Sequence, residues 1–457
     1  MMSEKQRIQE VKDITDNISP TFCLAKWHHT TIYLHTGQTH SCYHPAPHNI
    51  SVEEIKENPA ALHNTLTKKK ERAKMLTGVR CNGCQYCWNV EDLGGDHISD
   101  RHIRNASIFT PERVKEIEQN NWDYDVNPEY IEIAFSNECN FKCGYCHPMA
   151  SSSFHSEIKK HGPYDTVKNH SLNVDWFKPI PEDENPYIEA WWKWWPEMSK
   201  SLNILRITGG EPLMHKSTWK LLDMISNDPR PNLELNVNSN LGIKTKLVDK
   251  LSTNVNELLS NNKIKKFKLY SSMDTWGARA EYLRTGLDCE LWETNLKTYL
   301  DQTGADITFM CTFNILSVTS FTKFLEKVLE WRSLYHDPKR RKVRFDTPYL
   351  KEPLQYDMHI LPKDDFLPYF DKILAFIRDN CDDADTRKFS ELEYEKFRRV
   401  RDYFANVKYD DHRIEQGRID FYNWFNEYDR RRNTSFLKTF PEMEGFYRLC
   451  EHLQDNK

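Results

Sequence analysis

The chain has 457 residues, 39% of them hydrophobic and 12% aromatic. That is enough apolar side chain for a large packed core, and it excludes an intrinsically disordered chain. The net charge is −5 with both signs interspersed, so no nucleic-acid partner is expected. The polar N-terminus and the lack of any apolar run long enough to span a bilayer lead to the expectation of a soluble, cytoplasmic protein with no membrane partner.

From the N-terminus, Cys23 and Trp27 precede an alternating run, Thr31-Ile-Tyr-Leu-His35, then Thr36-Gly37 and Cys42. Strand, turn at Thr36-Gly37 and return strand predict a hairpin that brings Cys23 and Cys42 together. The basic run from Lys68 to Lys74 reads as a solvated helix face. Next come Cys81, Cys84 and Cys87 with Trp88, followed by Glu91, Gly94, Ser99 and Arg101. Twelve cysteines in a cytoplasmic chain, six of them in two tight groups of three, point to metal rather than disulfides. The first stretch offers five thiols for four places. A site using Cys84 and Cys87 leaves Cys81 spare; one using Cys81 and Cys84 leaves Cys87 spare. A four-thiolate zinc site and a four-thiolate iron–sulfur site both satisfy this pattern.

Strand-like runs then recur at Ile131–Phe135, Leu202–Thr208, Leu233–Val237, Phe267–Ser272, Ile307–Phe313 and Val343–Phe345. Several alternate with period two, and amphipathic helical patterns such as Phe321, Phe324, Leu325, Val328 and Leu329 lie between them, which predicts parallel βα units. After the first run comes Cys139-Asn-Phe-Lys-Cys143-Gly-Tyr-Cys146, and after the second Thr208-Gly-Gly-Glu-Pro212. Three thiolates on one short loop can hold three irons of a [4Fe–4S] cube and leave the fourth open to a small molecule. Ferredoxin-type clusters draw four thiolates. His147 could complete a zinc site, and Cys143-x-x-Cys146-His147 also matches a haem-attachment pattern, but the haem reading needs export and leaves Cys139 and the Gly-Gly-Glu without a purpose. Trp191-Trp-Lys-Trp-Trp195 reads as the packed face of a helix before the second strand. Cys289, Cys311, Cys381 and Cys450 are isolated and read as ordinary small buried residues. Beyond residue 356, Phe397, Val400, Tyr403 and Phe404 suggest a helical extension that covers the core or contacts a partner.

The C-x3-C-x2-C loop with Tyr145 before its last cysteine, followed by Gly209-Gly210-Glu211, resembles the radical S-adenosylmethionine (SAM) superfamily. Cys23, Gly37, Cys42 and the later Cys84-x-x-Cys87-Trp88 resemble that superfamily's auxiliary-cluster modules, the SPASM and twitch domains, here placed before the core. The resemblance implies an α/β fold: a partial (β/α)6 TIM-like barrel over residues 121–355, a small cysteine-rich α+β auxiliary domain over 1–120, and a helical extension over 356–457. It implies a SAM-binding [4Fe–4S] cluster on Cys139, Cys143 and Cys146, and a second [4Fe–4S] cluster on Cys23, Cys42, Cys84 and Cys87. Gly209, Gly210 and Glu211 would seat the SAM amino group, with Tyr145, Asn238, Ser272, Asp274 and Arg284 around the rest of the cofactor. The implied activity is reductive cleavage of SAM to a 5′-deoxyadenosyl radical that abstracts hydrogen from a substrate, with a peptide or protein side chain preferred. An auxiliary cluster would assist electron transfer and flavodoxin or ferredoxin would donate the electron. The alternatives are a non-catalytic iron–sulfur carrier or regulator on the same scaffold and a zinc-stapled binding module.

Overall fold

Period-two alternation builds the centre of the molecule. The computed structural model describes residues 4–92, 94, 98–167 and 179–455. Its strands are β1 (His29–Tyr33), β2 (Gln38–His40), β3 (His48–Asn49), β4 (Tyr130–Ala134), β5 (Lys142–Cys143), β6 (Ile204–Thr208), β7 (Arg230–Ser239), β8 (Ile264–Ser272), β9 (Arg284–Thr285), β10 (Asp306–Met310) and β11 (Val343–Asp346). Nine of them form one sheet in the order β11-β10-β8-β7-β6-β4-β1-β2-β3. Every pairing from β11 to β1 is parallel, and β2 and β3 add antiparallel. The six strand-like runs of the sequence are β4, β6, β7, β8, β10 and β11, and they lie side by side in chain order.

On one face Ile131, Ile133, Leu205, Ile207, Leu235, Val237, Leu269, Ile307 and Phe309 are fully buried. They pack in one core with the connecting helices, among them Lys216–Asn227, Thr245–Ser260, Cys289–Gln302 and Phe321–Leu334. The alternate residues are Glu132, Arg206, Asn238, Tyr270 and Thr308, partly exposed, and Arg344, exposed. Parallel sheets ordinarily bury both faces. Here the second face is a polar surface instead.

The Cys23–Cys42 segment does form a hairpin. β1 and β2 pair from Thr31–His40 to Tyr33–Gln38, and Gly37 turns the chain with φ +67°. A Cβ there would also lie 2.1 Å from the Tyr187 ring, so the turn requires glycine. The hairpin is not detached: β1 runs parallel along β4, so the N-terminal segment and the core share one sheet. Around the cysteines it keeps a small core of its own, with Phe22, Trp27, Met75, Trp88, Ile108 and Ile117.

The basic run corrects the sequence reading. Lys68 and Arg72, one helical turn apart, are fully buried. Lys68 Nζ donates to Thr30 Oγ1 at 2.7 Å and Thr39 Oγ1 at 2.8 Å, and Arg72 Nε to the Lys26 carbonyl at 3.0 Å. Hydroxyls and carbonyls of the hairpin supply partners that a solvated face would take from water. The tryptophan run is packed as expected, with Trp191, Trp194 and Trp195 buried on the helix Pro186–Met198 that precedes β6. Cys289, Cys311 and Cys450 are buried, but Cys381 is only partly so. The C-terminal segment is helical, led by Lys363–Asp379, Glu391–Asn406, Asp411–Arg432 and Glu444–Asp455. No helix among the described residues is long and apolar enough to cross a membrane.

Candidate functional site

Parallel strands place their C-terminal ends on one side of the sheet, where ligand sites of α/β folds collect. The three-cysteine loop follows β4, Gly209-Gly210-Glu211 follows β6, Asn240 follows β7 and Asp274 follows β8. The first two loops are joined by their backbones. Gly210 N–H donates to the Ser136 carbonyl at 3.0 Å and Glu211 N–H to the Glu138 carbonyl at 2.7 Å. The approach explains the glycines. Gly209 has φ +120°, and a Cβ on Gly210 would sit 2.3 Å from the Glu138 carbonyl oxygen. The sequence suggested that this pair admits a ligand; its nearest neighbour is the cysteine loop itself.

Cys143 is buried, and Cys139 and Cys146 are partly buried. Cys139 Sγ accepts from Phe141 N–H at 3.4 Å and from Asn240 Nδ2 at 3.8 Å. Cys143 Sγ accepts from Arg284 Nη1 at 3.7 Å. Burial and then the neighbouring Cys143 push the Cys139 thiol up to about 12, and burial and the other two thiols raise Cys146. Cys143 thus acts on Cys139, and both act on Cys146, so the three sulfurs lie near one another.

Glu211 is 1% exposed. Its carboxylate accepts from Asn240 N–H at 2.6 Å, Ser239 Oγ at 2.9 Å and Leu213 N–H at 3.2 Å. Burial nevertheless raises it to about 7, against those hydrogen bonds. Asn240 is therefore the hub. Its backbone holds Glu211, and its side-chain amide reaches both Cys139 Sγ and Asn140 Oδ1. Asn240 was not among the residues expected at the site.

Tyr145, Asp274 and Arg284 form a separate buried network. Arg284 meets Asp274 through Nε–Oδ2 and Nη2–Oδ1, both at 2.9 Å. Tyr145 Oη donates to Asp274 Oδ2 at 2.7 Å and accepts from Arg284, and Thr312 N–H donates to Asp274 Oδ1 at 2.8 Å. These three residues were expected around the cofactor. Arg284 and Asp274 satisfy each other here, so Arg284 faces Cys143 and is not a free cation. Asn238 and Ser272 sit at the ends of β7 and β8, and Asn238 Oδ1 accepts from Arg206 Nε at 2.9 Å on the polar face of the sheet.

A feature with no sequence signal is the grip of the Asp411–Arg432 helix on the cysteine loop. Arg432, 290 residues from Lys142, donates through Nη1 to the Lys142 carbonyl at 2.7 Å and to Thr285 Oγ1 at 2.9 Å. It also holds Glu157 through Nη2 at 3.0 Å and Nε at 3.1 Å. Burial raises the Glu157 carboxyl, but Arg432 beside it outweighs this and holds it down at about 2.

In the N-terminal lobe, Cys23, Cys42, Cys84 and Cys87 line one small cavity together with Lys26 and Arg101. Cys81 is not in its lining; its Sγ points to the Glu71 carbonyl at 3.6 Å and its carbonyl accepts from Trp88 Nε1 at 2.9 Å. The residues after the closing pair are knitted together. Glu91 accepts from Ser99 Oγ at 2.6 Å and from Arg101 Nε at 3.0 Å, and Arg101 lies over the Trp88 ring at 5.6 Å. Among the described residues no three His, Cys, Asp or Glu side chains lie close enough together to hold one metal ion.

No protein-family model matches the chain. Over 112 residues, 24% of its length, it is 27% identical to GTP 3',8-cyclase of Nautilia profundicola and spans 27% of that protein. The chain thus spans about a quarter of the curated relative it matches. Similar solved structures include native anSMEcpe with bound AdoMet, at 16% identity, 55% of this chain, 61% of the other and a TM-score of 0.35. Another is native anSMEcpe with bound AdoMet and Kp18Cys peptide, at 15% identity, the same coverages and a TM-score of 0.33.

Proposed function

We propose that this chain, a protein of the radical SAM superfamily, is an enzyme that holds a [4Fe–4S] cluster on Cys139, Cys143 and Cys146 and seats SAM beside it on Glu211. The observation that carries this reading is Asn240, which touches the sulfur of Cys139 and the carboxylate of Glu211 at once. The metal ligand after β4 and the amine acceptor after β6 would thereby both be tied to the end of β7. When bound, cluster and SAM supply a 5′-deoxyadenosyl radical for hydrogen abstraction. Glu211 accepts the SAM ammonium, with the Ser239 and Asn240 donors fixing the carboxylate plane. Arg284, locked by Asp274 and Tyr145, donates a hydrogen bond to Cys143 Sγ and orients it. The polar face of the sheet, onto which Asn238 and Ser272 open, receives the substrate. A peptide or protein side chain is the preferred class, and a flavodoxin or ferredoxin donates the electron.

Cys23, Cys42, Cys84 and Cys87 would hold a second [4Fe–4S] cluster for electron transfer. Four thiols around one small cavity also suit zinc, which would draw them to about 2.3 Å from one point, and metal analysis separates the two. In protein already lacking the Cys139, Cys143 and Cys146 thiols, Cys81→Ser should keep all remaining iron. Cys87→Ser should lose it and destabilise the N-terminal lobe, which folds partly on its ligands' binding energy. Loss in the Cys81 variant with retention in the Cys87 variant would reverse the ligand assignment.

The reading as a SAM enzyme is tested by anaerobic reduction of the reconstituted protein with SAM, which should yield 5′-deoxyadenosine slowly without substrate. Glu211→Ala should weaken SAM binding by about tenfold or more, since a hydrogen bond to a charged group is worth about 1.5–3 kcal/mol. The raised carboxyl also sets a pH dependence. Below about 7 Glu211 is protonated and loses its charge for the ammonium. SAM affinity is then full above that pH and falls by about tenfold per unit on the acid side. Titration calorimetry between pH 5.5 and 8 should show this slope in the wild type and a flat profile in Glu211→Gln. An identical slope in both would remove Glu211 from the amine seat.

A further inference from the structure

The polar face of the sheet deepens at its far edge into a cavity of about 620 Å³ lined from β8, β10, β11 and the segments before and after them. Six cations line it: Lys268, Lys339, Arg340, Arg341, Arg344 and Lys396, against three acids, Asp346, Asp383 and Glu393. The acids are committed. Glu393 takes buried Arg332 at 2.6 Å, Asp346 takes Lys396 at 3.0 Å, and Asp383 takes Arg341 at 3.6 Å. Two further cations are neutralised from outside the lining, Lys268 by Glu234 at 2.6 Å and Arg340 by Asp306 at 2.9 Å. Arg344 and Lys339 remain. Among the described residues neither has a carboxylate at ion-pair distance, and Arg344 spends only Nε, on the Arg341 carbonyl at 3.0 Å.

Register ties this surplus to the rest of the polar face. Arg344 pairs with Thr308, and Thr308 with Tyr270, so a guanidinium, a hydroxyl and a phenol stand in one row on neighbouring strands, about 4.8 Å apart. The Tyr270 ring in turn lies under Arg206 at 4.6 Å. A guanidinium with both Nη groups free presents the fork that binds carboxylate or phosphate in a bidentate manner.

We infer that this cavity is an oxyanion subsite: Arg344, supported by Lys339 and the Thr308 hydroxyl, binds a carboxylate or phosphate group of the substrate whose remainder lies along the polar face. The inference rests on the reading of that face as the substrate face. The test is calorimetric titration of anaerobic, reconstituted full-length protein with two probes, inorganic pyrophosphate and succinate. Saturable binding of at least one is expected; pyrophosphate alone assigns a phosphoryl substrate, and succinate alone a carboxylate. Arg344→Gln should weaken that binding by about tenfold or more, and Arg344→Lys, which keeps the charge without the fork, by less. Arg344 is exposed on an edge strand, so these variants should fold. Failure of the wild type to bind either probe overturns the inference, as does unaltered affinity in Arg344→Gln. Absence of 5′-deoxyadenosine from the wild type would overturn the enzymatic reading alone and leave probe binding at Arg344 standing.

Discussion

Replacing Cys139, Cys143 and Cys146 together by alanine should remove about half of the iron from anaerobically reconstituted protein and all SAM cleavage. With two four-iron cubes the wild type should hold about eight irons per chain, and the variant about four. The size of the effect follows from the placement of the sulfurs. All three sit on one loop, and the second set of cysteines lies in a lobe with its own small core. Removal of one set should therefore leave the other loaded. Iron and zinc analysis of both proteins, with electron paramagnetic resonance after reduction, decides the matter. A wild type with about four irons and one zinc would show that the N-terminal site is not a cluster. A variant that loses all its iron would show that the two sites do not load independently.

Arg432→Met should lose the same half of the iron although it removes no sulfur. The guanidinium is completely buried, holds the Lys142 carbonyl inside the cysteine loop and pairs with Glu157. Methionine leaves the loop without that anchor and leaves Glu157 buried opposite no arginine. Breaking such a buried pair costs about 3–5 kcal/mol. The Glu157 carboxyl, held at about 2 in the native protein, should then rise. Lys142 at 2.8 Å is a partial substitute only, being partly exposed. Thermal unfolding should therefore fall by several degrees in the variant. A second change separates positioning from stability. Arg432→Met with Glu157→Leu removes the orphaned charge and should recover much of the melting temperature without restoring the iron, because the Lys142 carbonyl still lacks its donor. Full iron in Arg432→Met would mean that the helix only packs against the loop.

The charged helical extension was expected to cover the core or contact a partner. Where it meets the core, Tyr428, Trp424 and Arg432 of the Asp411–Arg432 helix stand behind the cysteine loop. The space beside Gly144 is filled by Tyr356, whose hydroxyl a Cβ there would meet at 1.9 Å. Tyr356 Oη is itself held by Trp424 Nε1 at 3.0 Å.

What the sequence alone determined is what local pattern can encode. Period two predicts six strands because every second residue of β4, β6, β7, β8, β10 and β11 must enter one core, and parallel order follows from the helices between them. The three-cysteine loop and the Gly-Gly-Glu are legible because each is a short run in the chain, whereas Cys23, Cys42, Cys84 and Cys87 meet at one cavity only through the fold. What only the tertiary structure decided concerns charges. Lys68 looks solvated in a run of lysines, yet it is buried with its Nζ on two hairpin threonines, and burial together with Arg72 and Lys26 disfavours its charged form. Arg284 looks like a free cation for a cofactor, yet Asp274 already holds it. Arg432 carries no motif, yet it meets a loop 290 residues away. A charged side chain takes its role from whichever partner the fold brings within about 3 Å, and that distance is set by the packing of the whole chain, not by the spacing of residues along it.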